Sequence, residues 1–199
     1  MDEIAEFQAS FAQRIQDACP AEPPLPLKLW AMDETRVGLH TIRRRLITLR
    51  GVKPIGVHQH AFKNLYVYGV IAPASGESFF CLAKTMNGAK FQVFLDQFAA
   101  EYAETLNVML LDNSLTHKAA SLLVPKNVVL LFQPPYAPEV NPAERVWQAV
   151  KDALAWKRWE CLVDLQDYLL KLIGGWSKEK LQSLTAYPYI MSALSAHSI

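Results

Sequence analysis

The sequence predicts an α/β domain on a mixed five-stranded sheet, an antiparallel meander followed by parallel strands, with helices on its flanks. Three observations predict it. Residues 27–84 hold extended, β-branched and aromatic runs parted by turn residues. The second half holds two short apolar runs, Val108–Leu111 and Val128–Phe132, separated by a segment long enough for a parallel crossover. Single carboxylates stand at the ends of such runs rather than inside them.

The elements follow in order. Ile4, Phe7, Phe11 and Ile15 recur at helical spacing, so a helix is expected over Ile4 to Ala18. Four prolines between Cys19 and Pro26 make an extended linker. Residues 1–26 thus read as an N-terminal helix and Pro-rich linker, a helix free to belong outside the main core, and residues 27–199 as the main domain. Leu27 to Leu39 is the first strand, with Leu27, Leu29, Ala31 and Asp33 on one side. Arg45 to Arg50 is a candidate second strand. Asn64 to Ala72 is rich in Val, Ile and Tyr, and Ser78 to Lys84 pairs back on it across the Pro73–Gly76 turn. Phe91, Phe94, Leu95 and Phe98 mark a helix over Phe91 to Tyr102. After Val108–Leu111 a short helix is expected over Thr116 to Leu123, then the strand Val128–Phe132 and a proline-rich loop from Pro134 to Pro142. A helix runs from Pro142 to about Trp156, and one or two more fill Leu162 to Leu184.

Composition narrows the function. Hydrophobic residues make up 51% of 199, enough for a core, which excludes a disordered or fibrous chain. The net charge of +1 hides a strong asymmetry. From Thr35 to Gly76 there is no Asp or Glu, while Arg36, Arg43, Arg44, Arg45, Arg50, Lys53 and Lys63 give that stretch +7; the rest of the chain sums to −6. Such a block suggests a polyanion contact through phosphates, with a solvated turn as the lesser reading of Arg43–Arg45, weakened by the absence of carboxylates around it. His58 and His60 either touch the same partner or are plain surface residues. Cys19, Cys81 and Cys161 are scattered without a C-x-x-C pair, so neither a zinc site nor a disulfide framework is indicated. No apolar run reaches membrane length and the acidic N-terminus lacks a signal pattern, so a cytoplasmic protein without membrane partner is expected.

Asp33 lies near the end of the first strand, Asp112 follows Val108–Leu111, and Glu144 opens the helix after the last strand. Ligand sites of α/β sheets form at the carboxyl ends of strands, where these three can converge. Phosphodiester cleavage needs an attacking and a leaving oxygen stabilised in line, which two divalent ions do well. Magnesium takes carboxylate and water oxygens. Each acid also has a plainer reading. Asp33 could be a turn residue with Glu34 the functional acid on the opposite face. Asp112, Asn113 and Ser114 could cap a helix, and Glu144 could close a capping box with Asn141. Trp147 shares a face with Glu144 and is expected in the core, Tyr136 lines the site or packs its loop, and Trp156, Trp159 and Trp176 read as core or dimer contacts.

Leu111-Asp112-Asn113-Ser114-Leu115-Thr116-His117-Lys118-Ala119 and the stretch Gln133 to Trp147, with its pattern P-P-Y-x-P-x-x-N-P-x-E-x-x-W, resemble the second and third acidic motifs of mariner-type insertion-sequence transposases of the DDE superfamily. Trp30-Ala31-Met32-Asp33-Glu34-Thr35 is similar to the first motif, and the resemblance covers about Leu29 to Ala155. It implies an RNase H-like fold and a catalytic, metal-holding triad on Asp33, Asp112 and Glu144. It further implies magnesium, manganese substituting and two ions being expected, and cut-and-paste transposition of DNA by a homodimer on transposon ends and target. Glu34, Asn113 and His117 are expected to support the site, and Arg43, Arg44, Arg45, Arg50, Lys53 and Lys63 to contact DNA. The 31 residues between Asp112 and Glu144 are slightly fewer than is usual there. Nothing before Trp30 matches the helix-turn-helix region such proteins carry, so recognition of element ends is expected to reside on an upstream product. Another RNase H-like nuclease, or an inactive DNA-binding remnant, are the competing readings.

Overall fold

The computed structural model describes residues 3–20, 22–117 and 122–197. Five strands form one sheet in the order β3-β2-β1-β4-β5, where β1 is Leu27–Gly38, β2 Asn64–Ile71, β3 Ser78–Ala83, β4 Leu106–Leu111 and β5 Val128–Phe132. The pairs β1–β2 and β2–β3 are antiparallel, and β1–β4 and β4–β5 are parallel. The meander followed by parallel strands is as expected. The helix α3, Gly88–Glu101, supplies the crossover into β4. Its start is capped by Asn87, whose side chain accepts a hydrogen bond from the Lys90 backbone N–H at 3.0 Å.

Side-chain alternation along β1 sorts the core into two faces. Trp30 and Met32 point to the α3 side, where they meet Phe91, Phe94, Leu95 and Phe98. Ala31 and Val37 point the other way, toward α4, Ala143–Leu154. That helix buries Val146, Trp147, Val150 and Leu154 in one stripe, and each such side chain contributes about 1.5–3 kcal/mol. Helices α5, Leu162–Gly174, and α6, Lys178–Thr185, complete that layer. A last helix, α7, Pro188–His197, lies beyond the segment read as helical.

The N-terminal segment differs from expectation in two ways. It is broken at Ser10 into α1, Glu3–Ala9, and α2, Phe11–Ala18. The Ser10 hydroxyl donates back to the Glu6 carbonyl at 2.7 Å, a bond that bends helices. Nor does it stand outside the core: Phe7, Phe11 and Ile15 are buried with Leu29, Val108 and Leu110 from the sheet and Ile190 and Leu194 from α7.

Two further expectations are corrected. Arg45–Arg50 is not a strand. After β1 the chain leaves the sheet as an arm over residues 40–63, joined to itself by Thr41 N–H to the Gln59 carbonyl at 3.2 Å and turning at Gly51 with φ +84°. Leu46, Ile47 and Leu49 are exposed along it, so no apolar face rewards a ladder there. Of the helix expected over Thr116–Leu123, Thr116 and His117 lie in a turn, Leu122 and Leu123 have no regular structure, and 118–121 lie outside the described residues.

Candidate active site

The sheet register levels the first two acids. In the parallel ladder Ala31 lies beside Leu110. Two residues further along each strand stand Asp33 and Asp112, on the same face as Ala31 and Leu110. The pocket toward which they point has a volume of about 390 Å³ and is lined by Asp33, Asp112 and Glu144 together with Asn113, Ser114, Gln133, Asn141 and the loop Pro134–Pro138. Glu144 enters from above, in the first turn of α4.

Two anchors set the height of α4. Asn141 donates from its side chain to the Met32 carbonyl at 2.8 Å, and its Oδ1 accepts from the Ala143 N–H at 3.1 Å. Thus one buried amide ties the start of α4 to the strand residue before Asp33. The second is steric. Gly69 pairs with Asp33 across β1–β2, and a Cβ there would lie 2.6 Å from the Trp147 ring and 2.8 Å from Phe80. Glycine lets Trp147, one turn beyond Glu144, press onto the sheet. Trp147 is core, as expected.

The carboxylates are unequal in their surroundings. Burial pushes the Asp33 carboxyl well above the usual range, and the nearby charges of Glu144, Glu34 and Asp112 add to it, against an opposing hydrogen bond from the Glu34 backbone. His117 lies buried between two acids, with Nδ1 2.8 Å from Asp112 Oδ1 and Nε2 2.8 Å from Glu34 Oε1. Burial opposes its charge, but the hydrogen bonds to Asp112 and Glu34 and their negative charges outweigh it and raise its pKa to about 9. The bond from His117 in turn lowers Asp112, aided by the Ser114 N–H at 3.0 Å. Both of these bonds fall on Oδ1. Asn113 donates to the Gln133 carbonyl, tying the ends of β4 and β5 together.

The structure brings together most of the expected residues and separates others. Asp33, Asp112, Glu144 and Asn113 line the pocket, whereas Glu34 sits on the other face of β1 and reaches Asp112 only through His117. Tyr136 stands at the rim, fully exposed at φ 56°, and does not pack its loop. Arg43, Arg44, Arg45, Arg50, Lys53 and Lys63 do not line the pocket; they lie on and at the base of the arm. Arg44 pairs with Asp152 of α4 at 2.6 Å, and Arg43 lies 3.2 Å from His58, whose ring packs against His40 and His60. Trp156 fastens the arm by donating from its backbone to Ile42 and from its ring to the Arg44 carbonyl. Trp159 and Trp176 pack against the α4 core.

Three carboxylates with no thiol and no free imidazole among them suit a hard cation such as magnesium or manganese. Among the described residues no three His, Cys, Asp or Glu side chains are already gathered at ligation distance. Magnesium takes one or two carboxylates and fills its shell with water and phosphate, so an open acidic pocket fits it.

Residues 28–166 match the family described as DDE superfamily endonuclease. The chain belongs to this family. The protein y4pE/y4sA of Sinorhizobium fredii (strain NBRC 101917 / NGR234), itself described as uncharacterized, is 28% identical over 114 residues, 57% of this chain and 83% of that protein. Among solved structures, the Mos1 strand transfer complex matches with a TM-score of 0.72 at 15% identity, over 98% of this chain and 61% of that one. The Mos1 transposase paired-end complex with the left transposon end matches with a TM-score of 0.71 at 16% identity over the same shares. The chain thus spans about three fifths of the Mos1 chain in these structures, and at such identity the likeness is one of fold. The RNase H-like fold expected from the motifs is the fold observed.

In this DDE endonuclease, sequence reasoning missed three contributors. Gly69 was legible only as a glycine inside a strand, a known sign of close approach. In the sequence Asn141 reads as a helix cap, and its bond to the Met32 carbonyl has no local signal. Gln133, a polar residue directly after a buried run, carries the same signal that marked Asp112.

Proposed function

We propose that this chain is the catalytic domain of a transposase, cleaving DNA phosphodiesters and transferring the freed strand at Asp33, Asp112 and Glu144. The observation that carries this reading is the pocket in which two strand-end carboxylates lie level in register and a third descends from α4. Magnesium, or manganese in its place, in a pair of ions, would neutralise these charges, activate the attacking hydroxyl of water or of a 3′ end, and offset charge on the departing oxygen. Asp33 and Asp112 would flank the ions and Glu144 complete one shell. His117 holds Asp112 ionised and turned by its Oδ1, with Glu34 balancing the imidazolium. The arm supplies cations for phosphates through the exposed Arg43, Arg45, Arg50, Lys53 and Lys63 and the half-buried Arg44.

The proposed partners are DNA, a second copy of the chain on that DNA, and an upstream helix-turn-helix product that reads the element ends. Nearly complete exposure of Ile47 and Ile55 on the arm supports a protein contact there. Among the described residues no helix is long and apolar enough to cross a membrane; the proposed place of work is the cytoplasm, on the nucleoid when bound to DNA.

The test is nicking of supercoiled plasmid with magnesium or manganese. Asp33→Asn, Asp112→Asn and Glu144→Gln should each fall to background with circular dichroism unchanged. Metal-dependent cleavage retained by Asp112→Asn would sink the assignment.

A further inference from the structure

The row of side chains at the mouth of the sheet does not end with Asp112. In the β4–β5 ladder Leu110 lies beside Leu131 and Leu111 beside Phe132. One residue on, the Gln133 N–H still donates to the Leu111 carbonyl at 3.0 Å, so the ladder continues past the strand. Asp33, Asp112 and Gln133 therefore stand abreast on β1, β4 and β5, on the α4 face, with adjacent strands about 4.8 Å apart. Gln133 is only 6% exposed and lines the same pocket.

Its amide is oriented. Nε2 donates to the Ala137 carbonyl at 3.3 Å, and turning the amide over would set two carbonyl oxygens against each other. Oε1 is buried and has no hydrogen-bond partner among the described residues. Folded chains rarely leave a buried acceptor so placed without a functional reason. Whatever satisfies Oε1 must be a donor. A phosphate oxygen is none, but each water that a magnesium or manganese ion retains has two protons to give.

We propose that Gln133 is a positioning residue of this site, accepting through Oε1 a hydrogen bond from a water of the divalent-cation shell beside Asp112. The assignment rests on the metal reading above. It adds a neutral acceptor on β5, next to the acids, to hold that shell in one orientation.

Manganese binding to the full chain without DNA, followed by calorimetry and by the electron paramagnetic resonance of the ion, tests both levels separately. Gln133→Met keeps the shape and removes the acceptor. It should weaken binding on the order of tenfold, while the melting temperature of the metal-free chain changes little, because the unpaired Oε1 is removed together with the Nε2 bond to the Ala137 carbonyl, which keeps the Val140 N–H at 3.3 Å. Gln133→Glu, which keeps an acceptor and adds charge, should restore binding or exceed it. A purely structural glutamine would lower the melting temperature in Gln133→Met and leave manganese affinity alone, and that result overturns the proposal. Unchanged affinity with an altered preference for the base beside the cleaved bond also overturns it, and assigns Oε1 to a nucleobase amino group. If the wild type shows no manganese binding that Asp112→Asn abolishes, the metal reading itself falls, and this inference with it.

Discussion

The mouth of the sheet and the arm over residues 40–63 grow from the same β1–β2 pair, yet they are held in opposite ways. At the mouth each carboxylate is fixed by defined contacts. Asp33 is placed by ladder pairing, Asp112 by His117 and the Ser114 N–H, and Glu144 by Asn141 and by Trp147 seated over Gly69. Along the arm most side chains face water, and its attachments lie near its base and on Trp156 and Trp159: the Thr41–Gln59 bonds, the packing of Ile42 and Ala61 on the α4 core, the two bonds of Trp156, the Gln59–Trp159 contacts and the Arg44–Asp152 pair. On the proposed function, the difference follows from what each region would have to do. Placing cations on phosphodiester oxygens tolerates errors of a fraction of an ångström, so the carboxylates are overdetermined. Neutralising a polyanion needs charge near a surface, and low stability leaves such a segment free to adapt.

This contrast can be broken at its strongest point first. His117→Ala leaves Glu34 without its counter-charge beside buried Phe91 and Tyr68. Breaking a buried pair from one side costs about 3–5 kcal/mol. Partial exposure of Asp112 should place the loss near the lower figure, read as a lower midpoint in urea with cleavage reduced as well. An unchanged midpoint would show that the His117 bridge does not constrain the mouth.

Gly69→Ala probes the steric anchor. The added methyl meets the buried Trp147 ring and the half-buried Phe80, and overpacking of this kind costs about 1–3 kcal/mol. Cleavage should fall more than stability predicts, since α4 and Glu144 must rise with Trp147. Proportional loss of both would mean that Glu144 does not depend on this contact.

The smallest effect belongs to the arm. Arg44 and Asp152 are both substantially exposed, so their pair is worth roughly 0–1 kcal/mol. Arg44→Ala should leave the melting temperature nearly unchanged, weaken DNA binding, and reduce the slope of log affinity against log salt by about one. A slope equal to that of the wild type would remove Arg44 from the DNA contact, leaving it only as the strut to α4.

The amino-acid sequence by itself determined the alternation of the meander, the helical stripes of α3 and α4, and the three acids, because these depend on local periodicity and on carboxylates falling at element ends. It also determined the charge asymmetry, which is a sum over residues and needs no fold. Only the tertiary structure decided which face each acid serves. Asp33 and Glu34 are adjacent in the chain, and the pleat sends one into the pocket and the other to His117. Tertiary packing also drew α1 and α2 into the core and left Arg45–Arg50 without a ladder, against what their local patterns suggested. A strand or helix is completed by the surface that buries its apolar side. The N-terminal helices find theirs on the sheet and α7, whereas Leu46, Ile47, Leu49 and Ile55 of the arm stay exposed among the described residues.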